Sequence, residues 1–369
     1  MRAILKTIVF GAVVAVQGGF PAWGQPTPTV DSIGHALTED RPGGVVIGVL
    51  HDDSTSVHAF STADSAGSAP TARTLFEIGS VTKTFTGLLL ADAIERGAVG
   101  ASTPVAALLP DSVALAPADS ATSATITLED LATHRSGLPR LPSNLNPAAS
   151  PTDPYAAYGD SALFAFLDGY APPRVPGARY EYSNLGMGLL GHLLARQADT
   201  TYAALVRERI TGPLSLSDTR VRLTDGQRSR FTRGHNRAGA PAPPWHFDAL
   251  AGAGALRSTA TDMLAYLRAH RTALRAAPDT TLALQGAVRR ALRPRVPAGS
   301  EGTRIGFGWH QSTRDGHRVV WHNGGTGGFR SFVGLNPETG HGVVVLVATP
   351  AASRLVTKGG FRLIEEKGN

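Results

Sequence analysis

Strand-like runs lie at both ends of this chain, and helix-like runs fill its middle. Near the start, GGVVIGVLHD (43–52) and TSVHAFST (55–62) are β-branched or alternating, with polar turn residues between them, and TLFEIG (74–79) is a third short extended piece. From about residue 303 strand signals return in RIGFGWHQ, HRVVWHNG, GGFRSFVGLNP and GHGVVVLVAT, punctuated at Arg314-Asp315-Gly316 and from Pro337 to Gly340. Strands that must pair, separated by some two hundred residues of another period, predict one sheet built from both chain ends. The sheet parts fall at about 30–102 and 296–369, and a mainly helical insertion occupies about 103–295.

Helical spacing is clearest in SVTKTFTGLLLADAIERGAV, which starts at Ser80 and carries apolar residues at 81, 85, 88, 89 and 94. Short helices are expected at Val30 to Glu39 and over 352–366. The insertion reads as helices at 128–134, 155–170, 184–197, 201–210 and 259–276, cut by Pro-rich loops. Residues 139–154, PRLPSNLNPAASPTDP, form a loop long enough to suggest a functional role.

The first 24 residues differ from the rest. Arg2 and Lys6 precede an apolar run from Thr7 to Val16, and Ala22-Trp23-Gly24 places small residues at a cleavage position. This pattern predicts a signal peptide, hence a periplasmic or secreted protein without stable membrane insertion after cleavage. The chain has no cysteine, which excludes disulfides and a lipid-anchored cysteine. The longest basic cluster, RRALRPR (289–295), has no aromatic interleaving; it reads as a solvated helix end, and no nucleic-acid partner is expected. The twelve histidines show no metal-ligand spacing. A monomer without metal or organic cofactor is expected.

The basic residues single out one position. Thirty-one are Arg and four are Lys, and between residues 7 and 357 Lys83 stands alone. Arg and Lys are nearly equivalent on a wet surface. They differ where the group must lose its proton, which a buried ammonium can do and a guanidinium cannot.

Lys83 lies three residues after Ser80, one helical turn along the same face. Taken alone, Ser80 is as readily a helix cap. Two further stretches keep it company. Tyr182-Ser183-Asn184 stands at the mouth of a helix in GARYEYSNLGMG, where a core tyrosine and a capping residue are the simpler account. His322-Asn323-Gly324 opens a glycine-dense turn in WHNGGTGGFRSFVGL, either an ordinary hairpin or an edge strand along which a peptide-like substrate pairs, with Gly324 letting its backbone come close.

Ser-x-x-Lys, Tyr-x-Asn and [Lys/His]-x-Gly in this order resemble the penicillin-recognising serine hydrolases, in the branch that holds class C β-lactamases, D-alanyl-D-alanine carboxypeptidases, D-aminopeptidases and related esterases. LFEIGSVTKTFT, LATHRSGLP, YEYSNLGMGLLG, GALRSTATDM and HNGGTGGFRSFVGLNP all look like that branch, so the resemblance spans about 30 to 365. It implies an α/β (α+β) fold of the β-lactamase/transpeptidase type, with an antiparallel sheet flanked by helices. It also implies an exported enzyme that cleaves an amide or ester, a D-amino-acid peptide or β-lactam, through a Ser80 acyl-enzyme. A carboxylesterase and a penicillin or peptidoglycan sensor without turnover are the alternatives.

An alcohol needs a base before it attacks. Lys83, neutralised by burial, and Tyr182 are both candidates, and the sequence leaves the choice open. Asn184 would bind the substrate's amide and hold Lys83, His322 and Gly324 would line the substrate, and the resemblance places an oxyanion hole at the backbone N–H groups of Ser80 and Gly325. His322 stands where class C β-lactamases carry lysine. A histidine is only partly charged at neutral pH, which argues against strong penicillinase or cephalosporinase activity. His-x-Gly in this branch resembles D-amino-acid peptidases and broad hydrolases. Glu181, beside Tyr182, is not assigned a deacylating role.

Overall fold

A computed structural model describes residues 11–13, 28–61, 69–118, 125–277, 283–314 and 316–365. The expected leader, 1–24, lies outside these apart from Gly11–Val13. In chain order the strands are β1 (Gly11–Val13), β2 (Gly44–His51), β3 (Ser54–Ser61), β4 (Phe76–Glu77), β5 (Gly234–His235), β6 (Pro241–Ala242), β7 (Arg257–Ser258), β8 (Val296–Pro297), β9 (Thr303–Ile305), β10 (His310–Arg314), β11 (His317–Gly325), β12 (Arg330–Leu335) and β13 (Gly342–Val347).

Nine of them form one antiparallel sheet, ordered β1-β3-β2-β13-β12-β11-β10-β9-β8. The seam between the two chain ends is the β2–β13 pair, with Val45 opposite Val347 and Leu50 opposite Gly342. The strand period sorts the side chains onto two faces. Val45, Ile47, Val343, Val345 and Val347 pack under the helices Pro28–Thr38 and Ser353–Glu365, while Val46, Val344 and Leu346 join the larger core beneath the helical insertion.

Two extended pieces depart from the expectation. TLFEIG contributes β4, which pairs with β7 outside the main sheet. RIGFGWHQ is not one strand: β9 and β10 are separated by a turn in which Gly308 adopts φ +70. A Cβ at Gly308 would sit 2.2 Å from the Lys83 carbonyl oxygen, so this turn lies directly on the Ser80 helix. The basic 289–295 segment is also not a free solvated end. Arg290 pairs with Glu95 at 2.6 Å and Arg295 with Glu129 at 3.4 Å, and the Arg295 guanidinium lies over Phe307.

The helix Thr82–Glu95 runs through the centre and is buried on all sides from Thr82 to Asp92. Its threonines are satisfied internally. Thr82 accepts from the Leu256 N–H, Thr84 donates to the Val81 carbonyl, and Thr86 donates to the Gly252 carbonyl. Lys83 is the one cation in that buried span.

Candidate active site

The Ser80 hydroxyl is not spent on capping. Ser80 lies in a 3-10 turn, Gly79–Val81, ahead of the helix, and neither the turn nor the helix has a side-chain cap. Gly79 has φ +49, and a Cβ there would come within 2.6 Å of the Gly325 nitrogen. A Cβ on Gly324 would come within 2.0 Å of the Ile78 carbonyl oxygen. Two glycines therefore let the end of β11 lie backbone to backbone against the turn that carries Ser80.

Lys83 is fully buried, and its Nζ has three polar neighbours: Ser80 Oγ at 3.0 Å, Asn184 Oδ1 at 2.9 Å and the Ala253 carbonyl oxygen at 2.6 Å. No carboxylate lies within ion-pair distance among the described residues. Burial, reinforced by the Arg140 charge, holds the Lys83 pKa well below that of a free lysine. A neutral amine has two N–H bonds and one lone pair. The amide oxygen and the carbonyl can only accept, so in the neutral form they take the two N–H bonds and the lone pair faces the Ser80 hydroxyl, whereas in the charged form a third N–H donates to Ser80 Oγ.

The second stretch is anchored by the loop at 134–140. Ser183 caps the helix Asn184–Gln197 by accepting from the Gly186 N–H, donates its hydroxyl to the Pro139 carbonyl, and donates its own N–H to His134 Nδ1. Asn184 N–H donates to the Arg140 carbonyl, and Asn184 Nδ2 donates to the Tyr155 hydroxyl at 3.1 Å. These bonds fix Asn184 Oδ1 on Lys83 and set the Tyr182 ring 5.0 Å from both Lys83 Nζ and the Arg140 guanidinium. Burial pushes the Tyr182 phenol up to about 12, with the neighbouring Ser80 hydroxyl offsetting part of the effect. Glu181 is exposed and pairs with Arg174.

The third stretch behaves differently from the expectation for His322. Its side chain is 1% exposed and turns inward, with Nδ1 at 2.6 Å from the Asn323 carbonyl oxygen. Burial, then His310 and Lys83, hold its pKa well below the ordinary histidine value, so it is neutral at physiological pH. It belongs to a buried cluster with His310, 5.0 Å away ring to ring, and Tyr182, 6.4 Å away. β11 is an interior strand rather than an edge. However, its pairing with β10 ends at Trp321, so His322 to Gly325 have a strand partner only in β12.

A pocket of about 440 Å3 opens over these groups, lined by Ser80, Arg140, Tyr182, Trp245, Gly325 and Arg330 among others. Two cations contribute to it that the sequence reading missed. Arg140 is exposed at the rim. Arg330 is half-buried and held by the Ser353 hydroxyl (2.5 Å) and by the Thr326 and Phe329 carbonyls, with no carboxylate in ion-pair range among the described residues. Burial and Arg237 lower its pKa to about 10, which leaves it charged at neutral pH.

The sequence profile of the Beta-lactamase family matches residues 30–361. This chain belongs to that family. It is 26% identical over 352 residues to a beta-lactamase of Pseudomonas fluorescens, covering 86% of this chain and 92% of that protein. It is 27% identical over 343 residues to the unguisins hydrolase ungD' of Aspergillus campestris, covering 88% of this chain and 62% of that protein. The chain spans less than two thirds of the length of several such relatives. A solved beta-lactamase/D-alanine carboxypeptidase from Pseudomonas syringae shares the fold, with a TM-score of 0.78 at 19% identity over 92% of this chain and 99% of that one. Membership in the Beta-lactamase family accords with the antiparallel sheet flanked by helices and with a serine at the head of a buried central helix.

Proposed function

We propose that this protein is an exported serine hydrolase that opens an amide or ester bond through an acyl-enzyme on Ser80. Its substrates would be D-amino-acid peptides or related β-lactams. The observation that carries the reading is the pairing of Ser80 Oγ with a fully buried Lys83 that has no carboxylate in ion-pair range among the described residues. In this mechanism Lys83 takes the Ser80 proton as Oγ bonds to the substrate carbonyl carbon. The N–H groups of Ser80 and Gly325 receive the oxyanion, each such donor being worth about 3 kcal/mol of barrier. Tyr182, protonated at rest, delivers a proton to the leaving nitrogen as the C–N bond breaks. The proton on Lys83 then restores the Tyr182 phenol. Water attacks the ester carbon as Lys83 takes its proton. That proton passes to Ser80 Oγ as the acyl C–O bond breaks, releasing the acid and returning the Ser80 hydroxyl.

Asn184 orients the substrate amide and holds Lys83. The close approach at Gly324 leaves the open side of β11 to a substrate backbone. With His322 neutral, Arg330 and Arg140 supply the pocket's positive charge, which suits a substrate bearing a carboxylate. The apolar run after Arg2 and Lys6 supports export. The test is covalent labelling with a fluorophosphonate, followed by turnover of a D-Ala-D-Ala peptide, nitrocefin and p-nitrophenyl butyrate. Ser80→Ala is expected to abolish labelling and turnover. Labelling that persists in Ser80→Ala would refute the assignment, and a stoichiometric burst without turnover of any of them would replace the enzyme by a sensor.

A further inference from the structure

Glu77 lies three residues before Ser80, in the short strand β4, and is 4% exposed. Its Oε1 accepts the Trp245 N–H at 2.7 Å and an Arg257 N–H at 3.4 Å. Arg257 is the residue opposite Glu77 in β7, and it also donates to the Trp245 carbonyl at 2.6 Å. The next polar neighbour of Glu77 is the Thr326 hydroxyl. Neither Glu77 Oε2 nor Thr326 Oγ1 completes a hydrogen bond at ordinary geometry.

Two of these neighbours bear on the pocket. Trp245 and Thr326 both line it. Thr326 follows Gly325, and a Cβ on Gly327 would lie 2.8 Å from the Trp245 indole nitrogen, so the turn after β11 and the Trp245 loop rest on each other. Ser331, across the hairpin, donates to the Ile78 carbonyl at 2.7 Å. Glu77 is thus the junction of three segments: the strand that leads into Ser80, the turn that carries the Gly325 N–H, and the loop that carries Trp245. A buried carboxylate–guanidinium contact is a poor source of net stability because both charges lose water. What it supplies here is a fixed distance between those segments.

We propose that Glu77 is a positioning residue for the reaction. Its carboxylate holds the Gly325–Thr326 turn and the Trp245 wall in register with Ser80, so that the Gly325 N–H meets the oxyanion. The proposal rests on Ser80 being the acylated nucleophile. Displacing a catalytic donor by a fraction of an ångström to an ångström costs tens to hundreds in rate.

The test uses the full chain and normalises every rate to the fraction of sites titrated by a fluorophosphonate, which removes unfolded protein from the comparison. With p-nitrophenyl butyrate, Glu77→Gln is expected to lower kcat per titrated site about 30-fold and to leave KM within about threefold. Thr326→Val is expected to lower kcat about tenfold. The double variant should be no slower than Glu77→Gln, because both changes act on the same junction beneath the Gly325 N–H. Should Glu77→Gln fail to fold, Glu77→Asp keeps the charge opposite Arg257 but falls short of Trp245, and it should lose kcat at an unchanged Tm. An unchanged kcat per titrated site in the folded Glu77 variant, or losses that multiply in the double variant, would overturn the proposal. Ser80→Ala separates the two readings: a mutant still labelled sinks the nucleophile, whereas an unlabelled one beside an unaffected Glu77 variant sinks only the positioning role.

Discussion

Lys83 Nζ stands 3.0 Å from Ser80 Oγ, and its other two polar contacts, Asn184 Oδ1 and the Ala253 carbonyl, can only accept. That arrangement suits an uncharged amine with its lone pair on the serine. Arginine at position 83 retains positive charge and cannot present a lone pair. Lys83→Arg is therefore expected to be about as harmful as Lys83→Ala, each lowering the acylation rate by at least about a thousandfold. Stopped-flow labelling with an activated ester measures it. An arginine variant within tenfold of the parent would reduce Lys83 to a charge.

Tyr182 tests the division of labour. Its phenol is pushed up to about 12, so at neutral pH it holds a proton to give. An amide nitrogen needs that proton to leave, whereas nitrophenolate does not. Tyr182→Phe is expected to slow peptide cleavage by about 10²–10³ and to leave acylation by p-nitrophenyl butyrate within about tenfold. Equal losses on both substrates would make Tyr182 the base for attack.

Arg330 makes a prediction about specificity. It is charged, lines the pocket and has no acidic partner among the described residues. A charge-assisted contact to a substrate carboxylate is worth about 1.5–3 kcal/mol. Arg330→Leu should therefore raise KM for a D-peptide acid by roughly ten- to a hundredfold, with little change for the matching peptide amide. Steady-state kinetics on the acid–amide pair decide it, and equal shifts for both would remove the carboxylate contact.

The parts legible in the sequence were those carried by local period and by residue choice. The β2–β13 seam follows from strand signals at both ends, because the β-branched apolar runs around Val45–Ile47 and Val343–Val345 can be seen without coordinates. Lys83 was legible because a chain that otherwise writes its cations as arginine has a lysine there. The break between β9 and β10 was not, since it is imposed by Gly308 lying against the helix, a contact between residues more than two hundred positions apart. The inward turn of His322, the arrival of Arg330 and Arg140 at one pocket and the place of Glu77 behind its Trp245 wall were hidden for the same reason. An isolated histidine, arginine or glutamate has no local pattern that distinguishes a pocket wall from a wet surface, and only the β11–β12 hairpin and the 134–140 loop bring these groups together.

The buried lysine also predicts how stability depends on pH. Its folded pKa lies well below the free value of 10.5, so between those two values the unfolded chain binds a proton that the folded chain does not. Stability from this group is then lowest at and below the folded value, rises with pH across the window, and is fully recovered above 10.5. Lys83→Met removes the titration and keeps most of the side-chain volume. It should raise Tm at pH 7 relative to the parent, and the advantage should shrink as pH is raised toward 10. The acylation rate of the parent should rise only as pH passes through the folded pKa and stay level above it, because Lys83 is then already neutral. Thermal melts of parent and Lys83→Met across pH 6–10 read the first effect, and burst rates over the same range read the second. An advantage for Lys83→Met that grows with pH would mean that position 83 is not held neutral by burial, and the base would have to be sought in Tyr182.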